Sequence, residues 1–335
     1  MKRICLFFVL SLFGCNEGNV TASKSSDSGP PFEVLASISE GERIFYAYDT
    51  YWTDDPVLRS TVRSMRTDGS DKQDFVRVYG LMGDYYRLSP DRKKIVISAG
   101  DTLSARKIQN RYVFDSHHLW LIEGTKGIQL TGLIERNVDD VPAAWSKDGK
   151  TIYYLHDRNT QNEGYGQWEI WAINVDGSNP RRITDGSYLS VSPDGNTLAV
   201  FRQRYIESQH INTVSFIPET VLTDSDGSNL RMLANGPSYC EWSPDGLQLA
   251  CRDEGTDHIV LLNAKGDRLK ELPYATSISE SFAWSPDGQW LIYFDVLGNE
   301  GSGLWKVRVD GSSPPVLLVL LADEGVKNGS PQWLP

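Results

Sequence analysis

Trp242-Ser243-Pro244-Asp245-Gly246 and Trp284-Ser285-Pro286-Asp287-Gly288 are the same five residues met twice. The phrase returns as Ser89-Pro90-Asp91-Arg92, Ser146-Lys147-Asp148-Gly149 and Ser192-Pro193-Asp194-Gly195, and a sixth start, Ser330-Pro331-Gln332-Trp333, closes the chain. The starts fall 57, 46, 51, 42 and 45 residues apart, a period that marks propeller blades once loop insertions are allowed. Each unit has one grammar. A short strand ends in an aromatic or apolar residue (Leu88, Trp145, Val191, Trp242, Trp284), the turn follows, and a β-rich run comes next at 94–98, 151–155, 197–201, 248–251 or 290–294. A third strand such as 119–122, 169–173 or 304–309 leads to a hairpin turn such as Asp176-Gly177-Ser178 or Asp310-Gly311-Ser312, where glycine supplies the positive φ. A short fourth strand, as in 181–184 and 231–233, ends the unit.

The first complete phrase begins only at Ser89, yet 43–48 reads as a second strand and 60–66, followed by Asp68-Gly69, as a third. The first blade therefore lacks its innermost strand, and Pro331-Gln332-Trp333-Leu334-Pro335 supplies it. The expected fold is all-β: a six-bladed β-propeller closed by pairing of the C-terminal strand into the first blade, because an open ring would leave an apolar blade face wet. Trp-Ser-Pro-Asp-Gly, together with Asp176-Gly177-Ser178-Asn179-Pro180-Arg181-Arg182-Ile183-Thr184, resembles the TolB-type propeller repeat over about residues 38–335. TolB carries an α/β domain before its propeller; the repeats here begin too early to leave room for one, so roles that depend on that domain do not carry over.

Lys2 and Arg3 precede the apolar stretch from Leu6 to Leu10, which runs on to Leu12-Phe13-Gly14-Cys15. This core is too short to span a bilayer and ends at small residues before a cysteine, the pattern of an export signal. Leu-Phe-Gly-Cys resembles the bacterial lipobox, which implies removal of 1–14 and lipidation of Cys15; Asn16 in place of Asp implies the outer membrane. Residues 15–37, rich in Ser, Gly and Pro, read as a flexible tether, leaving 38–335 for the propeller. The formal net charge of −11 becomes −13 once Lys2 and Arg3 are lost. Such a body argues against nucleic acid and against charge-driven attachment to anionic lipid, so a lipid anchor must hold it to the membrane.

The repeated turns need no function, since Pro fixes φ, Asp accepts from backbone donors and Gly takes φ above zero. Asp224-Ser225-Asp226-Gly227 lacks the bidentate Glu of a calcium loop. The recurrence does align the exits of the second strands: Asp49, Ala99, His156-Asp157, Arg202, Asp253 and Asp295. In a propeller these exits share one mouth of the central channel, where the long loops follow, with Tyr51 and Trp52 in the first. Asp49, Tyr51, Trp52, His156, Asp157, Arg202, Asp253 and Asp295 are the candidate binding residues, being acids rimmed by the aromatics and arginines that anchor interfaces.

The histidines lack zinc-ligand spacing, and neither a Gly-x-Ser-x-Gly elbow nor a phosphate-cradling glycine loop occurs. No metal, cofactor or catalytic residue is assigned, although His156 with Arg202 would be the pair to suspect in an enzyme. Trp242 should stand opposite Leu249, hence Cys240 opposite Cys251, and export into an oxidising compartment makes a disulfide between them reasonable. The resulting expectation is a membrane-tethered protein-binding or scaffolding propeller, periplasmic or at the surface. The alternative is a lyase or hydrolase acting on a polysaccharide or peptide at the channel mouth, and a small ligand or glycan there stays open.

Overall fold

The structure, a computed structural model, describes residues 30–49, 59–79, 85–100, 106–108, 111–113, 116–132, 138–158, 168–207, 214–272, 278–295, 302–320 and 331–335. Cys15, Tyr51 and Trp52 lie outside these residues. Among the described residues there is no helix, and none long and apolar enough to cross a membrane. The strands follow the repeat. The first group is β1 (Phe32–Val34), β2 (Arg43–Asp49), β3 (Arg59–Met65) and β4 (Gln73–Tyr79). The second is β5 (Tyr86–Leu88), β6 (Lys94–Gly100), a ribbon of β7 (Arg106–Ile108) and β8 (Arg111–Val113), then β9 (His117–Glu123) and β10 (Lys126–Gln129). The third is β11 (Val138–Trp145), β12 (Thr151–Arg158), β13 (Trp168–Asn174) and β14 (Arg181–Asp185); the fourth is β15 (Tyr188–Val191), β16 (Thr197–Glu207), β17 (Val214–Asp224) and β18 (Arg231–Asn235). The fifth is β19 (Pro237–Trp242), β20 (Gln248–Asp253), β21 (Ile259–Asn263) and β22 (Arg268–Leu272); the sixth is β23 (Ile278–Trp284), β24 (Trp290–Asp295), β25 (Gly303–Arg308) and β26 (Val316–Leu320), after which β27 (Gln332–Leu334) ends the chain.

The arrangement is that of a β-propeller. Hydrogen bonding does not, however, divide it into the six separate sheets expected. It gives one five-stranded sheet (β1-β4-β3-β2-β27), one eight-stranded sheet built from β5, β6 and β9–β14, three four-stranded sheets and the β7-β8 ribbon. The eight-stranded sheet arises because a single parallel bridge, Asp139 beside His117, joins the second group to the third. Two further expectations need correction. Phe32–Val34, assigned to the tether, is a strand paired with β4, because Phe32 is buried edge-on against Trp120. The second strand of the fourth group, expected over 197–201, extends as β16 for 11 residues beside an equally long β17.

The repeated turn is held by side chains as much as by backbone. In the fifth group, Ser243 Oγ donates to Asp245 Oδ1, Asp245 Oδ1 accepts the Leu247 N–H, and Ser243 Oγ accepts the Gln248 N–H. Ser89, Ser146, Ser192 and Ser285 repeat the first of these contacts with their own aspartates. Satisfying the turn's donors internally leaves the strand faces free to be apolar.

Those faces meet their neighbours. Phe45, Val62 and Phe75 of the first group pack with Leu88, Ile95 and Ile97 of the second; Val96 and Leu121 with Trp145 and Tyr154; Tyr153 and Ile170 with Leu189 and Val221; Leu222 and Leu233 with Leu249 and Leu262; Leu261 and Leu272 with Trp284 and Tyr293. Ile292 and Leu304 then pack with Ile44, Met65 and Trp333, returning the sequence of contacts to its start. The hairpin glycines Gly227 and Gly266 seat these junctions. Each has positive φ, and a Cβ would stand 2.5 Å from Ile183 O or 2.1 Å from Leu233 O of the preceding group, a space that only glycine fits.

The first strands β5, β11, β15, β19, β23 and β27 are successive neighbours. Trp145 Nε1 donates to Arg87 O and Trp284 Nε1 to Glu241 O, both at 3.0 Å. β27 pairs antiparallel with β2, Trp333 beside Ile44, and Gln332 Oε1 accepts the Leu88 N–H at 2.9 Å. Removing residues 331–335 is expected to cost at least the roughly 3–5 kcal/mol of a buried Trp-to-Ala change, read as a lowered midpoint in equilibrium denaturation. An unchanged midpoint would show that the ends contribute nothing to the closed arrangement.

Candidate functional site

The second-strand exits gather charged groups, and the structure gives each a partner or a place. His156 and Asp157 end β12 opposite Asp140 and Asp139 of β11. His156 Nδ1 lies 2.7 Å from Asp140 Oδ1, and His117 Nδ1 lies 2.7 Å from Asp139 Oδ1. On the far side of Asp140, His118 Nδ1 stands 3.6 Å from Oδ2, while its Nε2 shares a 3.3 Å hydrogen bond with Ser116 Oγ. Ser116, His118 and Asp140 are 2%, 1% and 2% exposed. Burial alone would raise the Asp140 carboxyl, but the hydrogen bond from His156 together with the neighbouring His118 and Thr131 side chains outweighs it and holds the group below its ordinary value. Asp157 goes the other way, raised by burial and then by the adjacent Asp139.

Arg202 and Arg204 both bond Glu219 on β17, at 3.1 and 2.5 Å, and Glu219 is 1% exposed. Asp253 accepts the Gly255 N–H at 2.7 Å, caps the turn after β20 and pairs with Arg268. Asp295 is buried beside Tyr293, whose hydroxyl is raised by burial and by that carboxylate. Asp49 closes β2, its backbone paired with Ser60. His156 and Arg202 thus belong to two different ion-pair systems. Among the described residues no group of three or more His, Cys, Asp or Glu is arranged to hold a metal.

The residues missed by sequence reasoning are His117, His118, Asp139 and Asp140. Adjacent pairs carry no motif, and strand alternation sends the two members of a pair to different neighbours. The signal available was Val138-Asp139-Asp140-Val141, acids at the start of an innermost strand where the other repeats place apolar or small residues.

At the other end of β2, an open cleft of about 630 Å³ is lined by residues including Arg43, Arg66 and Asp71. Arg43 pairs with Asp71 at 2.8 Å, so its charge is met within the protein. On β19, Trp242 faces Leu249, and a bulge sets Tyr239 and Cys240 together opposite Cys251. Tyr239 takes φ 51°, and Cys240 and Cys251 are joined by a disulfide.

No family model matches the chain. An uncharacterized protein of Agrobacterium fabrum is 31% identical over 180 residues, covering 50% of this chain and 55% of that one. An uncharacterized peptidase of Bacillus subtilis is 26% identical over 187 residues, covering 52% and 24% respectively. The chain therefore spans about half of the first relative and a quarter of the second. Among solved structures, TolB from Acinetobacter baumannii superposes with a TM-score of 0.62 over 88% of this chain and 67% of that chain, at 18% identity. That likeness is one of fold, a TolB-like propeller.

Asp140→Asn is expected to destabilise the protein by about 3 kcal/mol at neutral pH, since two imidazoles lose their buried anion. Because the Asp140 pKa is lowered on folding, its contribution is present above pH 3.8 and lost below it, so denaturation midpoints of variant and wild type should converge in acid. A parallel offset at every pH would refute the charge assignment. Replacing both Cys240 and Cys251 by Ala opens a closure with sequence separation 11 and should cost about 3 kcal/mol; mass spectrometry after alkylation without reductant should find neither cysteine modified in the wild type.

Proposed function

We propose that this chain is a lipid-anchored propeller of the bacterial cell envelope that binds a protein partner at the mouth formed by the second-strand exits. In this reading the eight-stranded sheet counts as two blades, giving six, and the apolar clusters shared by consecutive groups support that count. The observation that carries the binding role is the state of the charged groups at the exits. His156, Arg202, Asp253 and Glu219 are engaged with groups of their own sheets, so the mouth is a stiff frame, and a stiff frame binds at low ordering cost. The loops beginning after Asp49, with Tyr51 and Trp52, are the proposed contact residues, and Leu12-Phe13-Gly14-Cys15 the proposed anchor at the outer membrane.

A hydrolase reading has one observation behind it besides the peptidase relative: Ser116, His118 and Asp140 stand in the order nucleophile, base, orienting acid. Their burial weighs against it, since a nucleophile must meet its substrate.

In intact cells, in-situ crosslinking followed by mass spectrometry should recover one predominant protein with the wild type and at least about tenfold less with Tyr51→Ala/Trp52→Ala. Cys15→Ala should move the protein from the membrane to the soluble fraction. Recovery unchanged by the double substitution would remove the mouth as the contact surface. Covalent labelling of Ser116 by a fluorophosphonate would turn the reading toward a hydrolase.

A further inference from the structure

The residue preceding each aromatic or apolar strand end occupies the same place in every first strand: Arg87, Ala144, Ser190, Glu241, Ala283 and Gln332. Five of the six keep partial exposure, Ser190 alone being buried. Their neighbours along the chain are covered: Tyr86 and Leu88, Ala143 and Trp145, Phe282 and Trp284, Pro331 and Trp333. Because the first strands lie side by side in succession, these partly exposed positions face a common space, the waist of the central channel. Across it stand opposite charges. Arg87 comes from the second group and Glu241 from the fifth, yet Arg87 is near enough to draw down the pKa values of both Glu241 and Tyr188.

Among the described residues neither charge has a counter-ion within ion-pair distance. Arg87 Nε donates to Ala143 O at 2.6 Å and Nη1 to Tyr86 O at 2.8 Å. These are neutral acceptors that fix the guanidinium plane, and no carboxylate among the described residues lies within ion-pair distance of it. On the other wall, Glu241 Oε1 accepts the Tyr188 hydroxyl proton, and Tyr188 is held edge-on by Tyr239. The equivalent positions of the other innermost strands are small or polar, being Ala144, Ser190, Ala283 and Gln332. A guanidinium and a carboxylate contributed by opposite innermost strands match a small molecule that carries both an anion and a cation.

We propose that the channel waist is a binding site for a small zwitterion of the amino-acid class, its carboxylate on Arg87 and its ammonium on Glu241. The site is independent of any protein contact at the mouth. Burial pushes Glu241 up to about 7. The titratable groups facing it are Tyr188 from β15 and Arg87 from β5; Ala250, opposite on β20, and Trp284 on β23 carry none. Tyr188 stays protonated, raised well above its ordinary value by burial and by Glu241. An ammonium needs the ionised carboxylate, so affinity should fall about tenfold from pH 8 to pH 6 as Glu241 takes up its proton.

The test is calorimetric titration of the full chain at pH 8 with glycine, β-alanine, γ-aminobutyrate and 5-aminovalerate, which differ in the distance between their charges, and with butyrate and butylamine as singly charged controls. At least one member of the series should bind, at least about tenfold more tightly than either control, and should lose about tenfold or more with Arg87→Gln or Glu241→Gln. Glu241→Gln keeps an acceptor for Tyr188 and so retains the fold if Arg87→Gln does not. Absence of binding across the series, controls that bind as well as the zwitterions, or binding indifferent to Glu241→Gln would each overturn the proposal.

Discussion

A β-sheet that is apolar on both faces cannot stand alone in water, and everything else in this protein follows from how that constraint is met. Each group of strands hides one face on its predecessor and the other on its successor, so that Tyr153 and Tyr154, adjacent on β12, serve two different cores. Such an arrangement has no natural end. It is completed where Ile44, Met65 and Trp333 meet Ile292 and Leu304, which is why three residues at the C-terminus matter as much as any strand within. Burial of this kind supplies the driving force, while the serine and aspartate of each turn satisfy the donors that the reversal of the chain exposes.

Stacking the groups has a second effect, because it brings the starts of the innermost strands and the exits of the second strands to fixed positions around one axis. The exits become a rim of mutually engaged charges, with Asp140 between two imidazoles and Glu219 between two arginines. The innermost strands, neighbours in succession, bring side chains far apart in sequence, such as Arg87 and Glu241, to one level of the fold. On the rim Asp139, Asp140, Glu219 and Asp253 meet imidazoles or arginines, whereas Asp157 lies beside the like charge of Asp139. Arg87 and Glu241 on the innermost strands are instead held by uncharged partners, Ala143 O, Tyr86 O and the Tyr188 hydroxyl.

Much of the architecture was legible because turns and strand ends are local. The phrase around Trp242 and Trp284 carries its own hydrogen-bond logic, and the period places the strand starts to within a residue or two, though β12 and β16 run on well past their expected ends. Pairing of β27 with β2 was legible for the same reason, being the strand that the first group lacks. The union of the second and third groups into one eight-stranded sheet was not, since it rests on one bridge between Asp139 and His117 that no periodicity encodes. Phe32 was misread for a related reason: a lone aromatic in a stretch of Ser, Gly and Pro signals order only once Trp120 is seen beneath it.

Among the candidate site residues, His156 and Asp157 stood out in the sequence because they lie at the exit of a repeated strand, whereas the residues opposite them, Asp140 and Asp139, begin one and carry no such mark. The sequence by itself determined the repeat, the all-β character, the strand that completes the first group, and the nearness of Cys240 to Cys251, since each depends on residues close in the chain or on the return of a motif. Only the tertiary structure decided which charges are matched and which are left facing the channel. A side chain's electrostatic state depends on distance through space, and strands three repeats apart acquire such a distance only when the sheets are stacked about a common axis.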